Sequence, residues 1–232
     1  DKIIEVLEDF FFAQKDLEKK KILITAGPTY EKIDPVRFIG NYSSGKMGFA
    51  LAEACAERGA EVTLVAGPVS LKTHHPAIKR IDVESAGEMY QAAMTAFPSS
   101  DAAILCAAVA DYRPENASEQ KIKRETEREM TLHLVPNPDI AASLGAIKRE
   151  GQVMVGFALE TNDEATHAEG KLKRKNLDFI VLNSLRDQGA GFRCDTNKIT
   201  IIDNAGGVTS YPLKTKREVA CDIVNKLVTL LK

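Results

Sequence analysis

Cysteines are few in the 232-residue sequence, and the four that occur lie far apart without a C-x-x-C pair. This spacing argues against a zinc site and predicts reduced thiols, the usual state in a cytosol. Long apolar runs are also missing, since none approaches the roughly 20 residues of a membrane-spanning helix. The charge shows no excess of either sign, because 31 basic side chains face 33 acidic ones. We therefore expect a cytoplasmic protein without nucleic acid or a membrane as its partner.

The first 20 residues differ in pattern from the remainder. The stretch "DKIIEVLEDFFFAQKDLEKKK" has acidic residues before its apolar run and no small-residue cleavage site, so it does not fit a signal peptide. We interpret residues 1–20 as a linker, the remnant of an upstream domain. Residues 21–232 predict a single domain, because 44% hydrophobic residues suffice for a core and 28% charged residues suit a soluble surface.

Apolar runs typical of strands alternate with segments of helical periodicity along the chain. Near the end, "KITIIDNAGGVTSYPL" at 198–213 predicts a hairpin with its turn at 204–207. The pattern predicts an α/β fold: a mostly parallel sheet with helices on both faces, plus a C-terminal β-hairpin. The predicted strands of the alternating part are 21–27, 60–67, 78–83, 101–110, 130–135, 152–160 and 177–184.

The carboxyl ends of the predicted strands are the expected place for a ligand, because open α/β sheets bind ligands outside that edge. Gly27, Asp111, Phe157 and Asn183 each lie at or just past a predicted strand end. The polar segment 111–129 has no clear apolar period, so we expect it to be exposed and mobile.

The stretch "GNYSSGKMGFA" at 40–50 supports more than one interpretation. Gly40, Gly45 and Lys46 have the G-x-x-x-x-G-K spacing of a P-loop. However, Met47 stands where a Ser or Thr would hold Mg²⁺, and a long loop separates the motif from the preceding strand. A true P-loop is therefore disfavoured.

Two other interpretations of this stretch remain. In a dinucleotide-binding dehydrogenase the second strand would end near an acid for the ribose hydroxyl, whereas this one ends "LVAGPVS", and no Tyr-x-x-x-Lys pair follows. Alternatively, Ser43, Ser44 and Gly45 lead into a helix whose N–H groups and dipole attract an anion, with Lys46 adding charge. The competing structural explanation is that Ser43 or Ser44 merely caps the helix.

Further motifs follow in order and carry a resemblance to a known family. "AGPT", "DPVRFIGNYSSGKMGFALA", "AAVADYRP", "QKIKR", "NPDI", "GFALETN" and "KRKNLD" together resemble the bacterial phosphopantothenate–cysteine ligase family, also called phosphopantothenoylcysteine synthetase. The resemblance extends over 21–232. It implies a Rossmann-like ligase of coenzyme A biosynthesis that joins 4′-phosphopantothenate to L-cysteine with CTP and Mg²⁺. The intermediate would be an acyl-cytidylate, and CMP and pyrophosphate would be released.

The resemblance also implies the assembly of the protein. The family is dimeric, and the hairpin at 198–211 is our candidate for part of the interface. In many bacteria this ligase follows a flavin-dependent decarboxylase in one bifunctional chain, so no flavin is expected in the present domain.

The resemblance assigns roles to individual residues. Asn41 would turn over the acyl-cytidylate, because its amide can donate to the acyl oxygen and accept from the incoming amine. Lys121, on a flap at about 111–128, would neutralise the triphosphate. Asp111 would bind the ribose or Mg²⁺. Phosphate or substrate binding falls to Asn41, Ser43, Ser44, Gly45 and Lys46, and nucleotide binding to Leu105, Cys106, Ala107, Asp111, Lys121, Pro138, Asp139, Ile140, Ala141, Phe157, Lys171 and Lys175.

Two alternative functions are kept open by the residues themselves. One is an NAD(P)-dependent, short-chain reductase-like enzyme, and the other is a nucleotide-binding module without catalysis. Pyrophosphate release in the presence of CTP, 4′-phosphopantothenate and cysteine distinguishes the ligase from both.

Overall fold

The fold is described by a computed structural model for residues 15–123, 129–160, 170–184 and 194–231. Its strands are β1 (Lys21–Ala26), β2 (Tyr30–Lys32), β3 (Phe38–Gly40), β4 (Glu61–Ala66), β5 (Ile78–Asp82), β6 (Ala102–Leu105), β7 (Tyr112–Pro114), β8 (Leu134–Pro136), β9 (Val153–Glu160), β10 (Phe179–Ser184), β11 (Thr196–Asn197), β12 (Ile199–Asp203), β13 (Val208–Ser210) and β14 (Lys214–Thr215). The helices are α1 (Lys46–Glu57), α2 (Ala86–Ala96), α3 (Ile140–Ile147) and α4 (Lys216–Leu230). Residues 170–174 are also helical.

Eight strands form the central sheet in the order β13-β12-β10-β9-β6-β1-β4-β5. Neighbours from β5 to β10 pair in parallel, whereas β12 and β13 are antiparallel. The order from β5 to β10 is the 3-2-1-4-5-6 order of the Rossmann fold, and it reverses between β1 and β6. The predicted mostly parallel sheet with a C-terminal hairpin is confirmed.

Helices cover both faces of the sheet. On one face α1 packs against α4, where Leu51 and Leu227 are fully buried in the same cluster. On the other face α2 and α3 contribute Met89 and Leu144 to a second cluster. Burying each such side chain stabilises the fold by about 1.5–3 kcal/mol. Both helix layers therefore hold the central sheet in place, and the candidate site lies at one edge of that sheet. No helix within the described part of the chain is long and apolar enough to cross a membrane.

The predicted strand at 101–110 is wrong in its second half, because β6 ends at Leu105. Beyond that residue the chain follows the loop that leaves β1. The Ala108 N–H donates to the Gly27 carbonyl at 2.8 Å, and the Ala110 N–H donates to the Thr29 hydroxyl at 2.9 Å. Gly27 has a φ of 80°, a left-handed conformation that turns the chain out of the sheet.

In the described part of the chain three two-stranded ribbons lie outside the central sheet, and none of them was predicted. One is β11 with β14. β2 pairs with β3 inside the segment expected to be an irregular loop, and β7 pairs with β8. The predicted strand at 130–135 is therefore shorter and belongs to a ribbon. Residues 1–14 of the expected linker, residues 124–128 of the expected flap, and residues 161–169 and 185–193 lie outside the described residues.

Candidate functional site

The start of α1 lies where the sequence places an anion-binding turn. Gly45 is the N-cap residue, with a φ of 75°. The Ser43 hydroxyl accepts from the Gly45 N–H at 3.3 Å. Neither Ser43 nor Ser44 therefore occupies the N-cap position. First-turn N–H groups have no partner within a helix, and here they belong to residues that line a cavity.

This first cavity has a volume of about 430 Å³ and lies at the carboxyl edge of the sheet. One wall is the 40–48 turn, and the others come from the chain after β6, from β9 and β10, and from the segment around β11 and α4. Its lining residues include all five predicted phosphate or substrate ligands: Asn41, Ser43, Ser44, Gly45 and Lys46.

Two lysines face each other across the first cavity. The Lys46 ammonium pairs with the Asp195 carboxylate at 2.5 Å, and this charge lowers the pKa of Asp195. Lys216, only 8% exposed, donates from Nζ to the Cys194 carbonyl. Burial, and then the charge of Lys46, lowers the pKa of Lys216. An anion in the cavity would meet both ammonium groups, because Lys46 and Lys216 both line it.

A pair of amides forms another part of the first cavity. The Asn197 side chain, 3% exposed, donates from Nδ2 to Asn183 Oδ1 at 3.0 Å. This bond occupies the Asn183 oxygen and fixes the amide of a residue near the end of β10. The Asn197 Oδ1 atom is buried and has no hydrogen-bond partner among the residues that the structure describes.

A second cavity of about 680 Å³ adjoins the first. It lies between the chain after β6, the start of α3 and the helical residues 170–174. The predicted nucleotide-binding residues that line it are Leu105, Ala107, Asp111, Pro138, Asp139, Ile140, Ala141, Phe157, Lys171 and Lys175. The structure therefore brings most of that set together in one cavity.

The second cavity is lined by two lysines, Lys171 and Lys175, and by two carboxylates, Asp111 and Asp139. The Lys175 N–H donates to the Lys171 carbonyl at 3.0 Å, as in a helix, so the two side chains share a face. The Lys175 ammonium is 3.0 Å from an Asp139 oxygen. Asp139 also caps α3 by accepting from the Ala142 N–H. Burial raises the pKa of Asp139, but this hydrogen bond and Lys175 outweigh it, so the pKa lies below its usual value.

The two cavities meet at a shared wall. Ala107, Ala108, Phe157 and Ala158 line both. Phe157 lies inside β9 and not at its end, which corrects the prediction. It still reaches the edge because β6 ends opposite Gly156, one residue earlier.

Asn41 bridges the rims of the two cavities. Its Nδ2 donates to the Val109 carbonyl at 2.9 Å. Asn41 lines the first cavity and Val109 the second. The bond leaves Asn41 Oδ1 and one N–H for a group at the junction, so a bound molecule spanning both cavities would pass this amide.

Two of the predicted nucleotide residues lie apart from the second cavity. Cys106 lines the first cavity instead, and burial raises the pKa of its thiol to about 12, so it is a contact surface and not a nucleophile at neutral pH. Lys121 is exposed and lines neither cavity. The backbone of its neighbour Ile122 hydrogen-bonds to Asp34 and Arg37, in the loop between β2 and β3.

Asp111 is exposed at the rim of the second cavity. Among the residues that the structure describes, no group of three or more His, Cys, Asp or Glu side chains could hold a metal ion. A single exposed carboxylate of this kind fits Mg²⁺ only if a bound phosphate supplies further ligands, since Mg²⁺ usually keeps several waters and takes few ligands from the protein.

Three polar residues of the first cavity, Lys216, Asn183 and Asn197, had no predicted role in binding. Asn183 lay at a predicted strand end, but Lys216 carried no signal, since it opens an amphipathic helix among other charged residues. Its burial follows from β11 and β14, whose pairing carries the start of α4 to the cavity.

Comparison with known proteins places the chain in a family. Residues 17–231 match the model of the DNA/pantothenate metabolism flavoprotein C-terminal domain. A protein from Vibrio parahaemolyticus, named coenzyme A biosynthesis bifunctional protein CoaBC, is 50% identical over 95% of this chain and 55% of its own length. A solved structure of the C-terminal domain of a CoaBC protein is 40% identical, with a TM-score of 0.80, and the match covers 94% of this chain and 98% of that domain.

Another relative carries a different name. A protein from an unknown prokaryotic organism, named cysteine/cysteine sulfinic acid decarboxylase, is 55% identical over 100% of this chain and 65% of its own length. The chain thus spans between about half and two thirds of the length of these full-length relatives.

Proposed function

Because the chain belongs to the family of DNA/pantothenate metabolism flavoprotein C-terminal domains, we propose that it joins 4′-phosphopantothenate to L-cysteine in coenzyme A biosynthesis. The energy would come from CTP, through an acyl-cytidylate. The observation that carries the proposal is the pair of adjoining cavities that meet at Asn41 and Phe157. A two-step ligase needs two anionic substrates held side by side with their reacting ends at a shared wall.

The first cavity suits 4′-phosphopantothenate. Its phosphate would lie at the start of α1, where first-turn N–H groups and the dipole favour an anion. Lys46 and Lys216 would supply the compensating charge, with Lys46 exchanging Asp195 for the phosphate. The carboxylate end would then point toward the wall at Ala107 and Phe157, next to the second cavity.

The second cavity suits CTP. Lys171 and Lys175 would lie against its phosphates, and backbone groups around Ala107 would read the cytosine edge. In the first half-reaction a carboxylate oxygen of phosphopantothenate attacks the α-phosphorus, the bond to the β-phosphate oxygen breaks, and pyrophosphate leaves. Lys121 would join the triphosphate from the flap. Mg²⁺, held by the phosphates and Asp111, would neutralise charge on the leaving group.

Asn41 would serve the second half-reaction. The cysteine amine attacks the acyl carbon, and CMP leaves with the electron pair of the broken acyl–phosphate bond. Val109 holds the Asn41 amide by one N–H. The other N–H would donate to the acyl oxygen as negative charge develops, and Oδ1 would accept from the amine.

The decarboxylase name of one relative gives no second candidate function for this chain. About one third of that protein lies outside the matched region, and the proposal assigns flavin chemistry to an upstream domain of the kind found in bifunctional chains. Within the present domain the proposed partners are small molecules and a second copy of the chain.

Pyrophosphate release tests the proposal. We expect release to require CTP, 4′-phosphopantothenate and Mg²⁺, and we expect cysteine to convert a single turnover into a steady state. ATP in place of CTP tests the nucleotide choice, and oxidation of NADPH tests the reductase alternative. A chain that binds CTP but releases no pyrophosphate with all substrates present would be a binding module, and the ligase assignment would fail.

A further inference from the structure

A buried carboxylate outside both cavities holds the loop between β2 and β3. Asp34 is 2% exposed. Its Oδ1 accepts from the Val36 N–H at 2.8 Å and from the Arg37 N–H at 2.9 Å. Its Oδ2 accepts from the Arg37 guanidinium, with Nε at 2.9 Å. Arg37 holds the pKa of Asp34 well below its usual range, so the carboxylate is ionised and the pair is fixed.

The same ion pair reaches a distant part of the chain. Asp34 Oδ2 also accepts from the Ile122 N–H at 3.1 Å, and the Arg37 guanidinium donates to the Ile122 carbonyl at 2.7 Å. Both backbone polar groups of one residue are therefore held by one ion pair. A third bond follows close by, from the Ser118 N–H to the Ile33 carbonyl at 2.9 Å. We call the Asp34–Arg37–Ile122 arrangement the latch.

The latch connects two residues with proposed roles in catalysis. Lys121 directly precedes Ile122, so fixing both backbone groups of Ile122 also limits where the Lys121 side chain can lie. On the other side, the loop with Asp34 continues through β3 to Asn41. If a charged side chain is already held near the position it needs in the reaction, less conformational entropy is lost on reaching the transition state, and the reaction is faster. The residues that hold it can have this effect without contacting the substrate.

We propose that Asp34 is a positioning residue that acts through Ile122 to place Lys121 for pyrophosphate release. The proposal rests on the proposed function for its catalytic consequence, but the latch itself is a property of the fold. Asp34 touches neither cavity, so it binds no substrate directly. A carboxylate that only closed its own loop would need Val36 and Arg37 but not a bond to a residue 88 positions away.

Hydrogen exchange tests the latch without any substrate. In Asp34→Asn the ion pair is lost, and we expect the amides around Ile122 to exchange at least tenfold faster, while those of β1 keep the wild-type rate. Arg37→Lys keeps the charge opposite Asp34 but loses the guanidinium fork, so it should loosen the same segment. The matched control is Glu84→Gln, which removes the exposed Lys32–Glu84 pair of the same ribbon and should leave the Ile122 region unchanged. Unchanged exchange in both Asp34→Asn and Arg37→Lys would overturn the latch.

A double-mutant cycle tests its role in the reaction. Asp34→Asn and Lys121→Gln should each slow pyrophosphate release by about tenfold or more, mainly through kcat, and the double variant should be no slower than Lys121→Gln by more than about twofold. Multiplying effects would mean that Asp34 acts independently of Lys121, and the positioning role would be wrong. If the wild-type protein releases no pyrophosphate, the proposed function fails, whereas the exchange experiment still decides whether the latch exists.

Discussion

At the scale of single residues, Asn41 is the position where we expect a substitution to separate the two proposed half-reactions. Its amide is oriented by Val109, and Asn41→Asp keeps the size but loses both N–H groups. We expect pyrophosphate to appear while the second half-reaction slows by about 10²–10³-fold, the usual cost of one donor at a developing oxyanion. Acyl-cytidylate should then accumulate in quenched samples. Turnover at the wild-type rate would contradict the role of Asn41.

Lys121 and Lys123 form a matched pair on the same segment, both exposed. Lys121→Gln removes the charge but keeps most of the stem. If the triphosphate meets Lys121 only as the reaction proceeds, the variant should slow the pyrophosphate burst more than it weakens CTP binding. Folding should change by less than about 0.5 kcal/mol, as for other exposed charges. Lys123→Gln is the control and should have the smaller effect; equal, mild losses would indicate a generic basic segment.

A substitution at Lys216 is expected to weaken substrate binding without lowering the stability of the fold. Lys216→Met removes a buried charge and keeps a similar volume, which is often neutral or stabilising for a fold. We expect an unchanged or higher Tm together with at least a tenfold rise in the KM for 4′-phosphopantothenate, since a charge-assisted contact to the phosphate is lost. The control is Lys214→Met, whose amine pairs with Asp222 and lines neither cavity. An unchanged KM in Lys216→Met would remove Lys216 from the site.

The structure brings predicted site residues together where neighbours in the chain are also neighbours in space. The turn from Asn41 to Lys46 is local and lines the first cavity as one unit, so its spacing alone was enough to predict an anion-binding helix start. Lys216 and Asn197 come from the far end of the chain and reach the cavity only through the fold. Their side chains have no local pattern that distinguishes them from surface residues, and a single sequence gives no other signal.

At the scale of elements, the contact between α1 and β1 sets the first cavity. A Cβ added at Gly48 would lie 2.5 Å from the Ala26 Cβ. We expect Gly48→Ala to push the start of α1 off the sheet and to cost about 1–3 kcal/mol, the usual range for overpacking. Thermal unfolding measures the loss, and weaker phosphopantothenate binding should accompany it.

A glycine in another helix provides the control for that substitution. In α2, a Cβ at Gly87 would meet only Ser85 Oγ, at 3.8 Å. Gly87→Ala should therefore be neutral or stabilising by up to about 1 kcal/mol, because Ala is the better helix former. Equal Tm values for the two variants would mean that the close packing of α1 on β1 does not depend on the absence of a side chain at Gly48.

Hydrophobic periodicity predicted the main helices and strands because each of them buries apolar residues in the core at regular spacing. The helices do so along one face, and the central strands do so on both faces. It failed for residues 106–110, which are apolar like β6 but leave the sheet. Within this segment the N–H groups of Ala108 and Ala110 donate to Gly27 and Thr29, in the loop after β1, and not to a strand. It also failed for β2, β3 and β7 and gave wrong bounds for β8, because three-residue strands are too short to show alternation. The irregular segments are the ones that build the cavities.

At the scale of the whole molecule, the order of the strands explains why segments from distant parts of the chain line the same two cavities. The reversal between β1 and β6 separates the chain segments that leave those strands. One segment carries the turn at 41–46 and the other carries the wall at Ala107. A nearly neutral chain thus concentrates Lys46, Lys171, Lys175 and Lys216 at one edge, which the net charge alone does not indicate.

The proposed homodimer is the remaining prediction at this scale. β13 is an edge strand of the central sheet, and its residues are all exposed, Val208 to 64%. An open edge of this kind can pair with a strand of a second copy, which agrees with the hairpin at 198–211 as part of the interface. We expect Val208→Lys to shift the protein from dimer to monomer in sedimentation velocity, because a charge would be placed in the pairing region.

Phe38→Lys is the comparison for the interface, since Phe38 is 50% exposed on β3, stacks on Tyr30 and is remote from β13 along the chain. If the hairpin forms the interface, Phe38→Lys should remain dimeric.

The opposite outcome would place the interface at the ribbon of β2 and β3. In that case Phe38→Lys would be monomeric and Val208→Lys would remain a dimer. That ribbon carries Asp34 and leads to Asn41, so pairing there would bring the second copy next to the latch and couple assembly to catalysis. Measuring pyrophosphate release across the dimer–monomer transition distinguishes the two arrangements: activity should persist in a monomer made at β13 and should be lost in one made at β3.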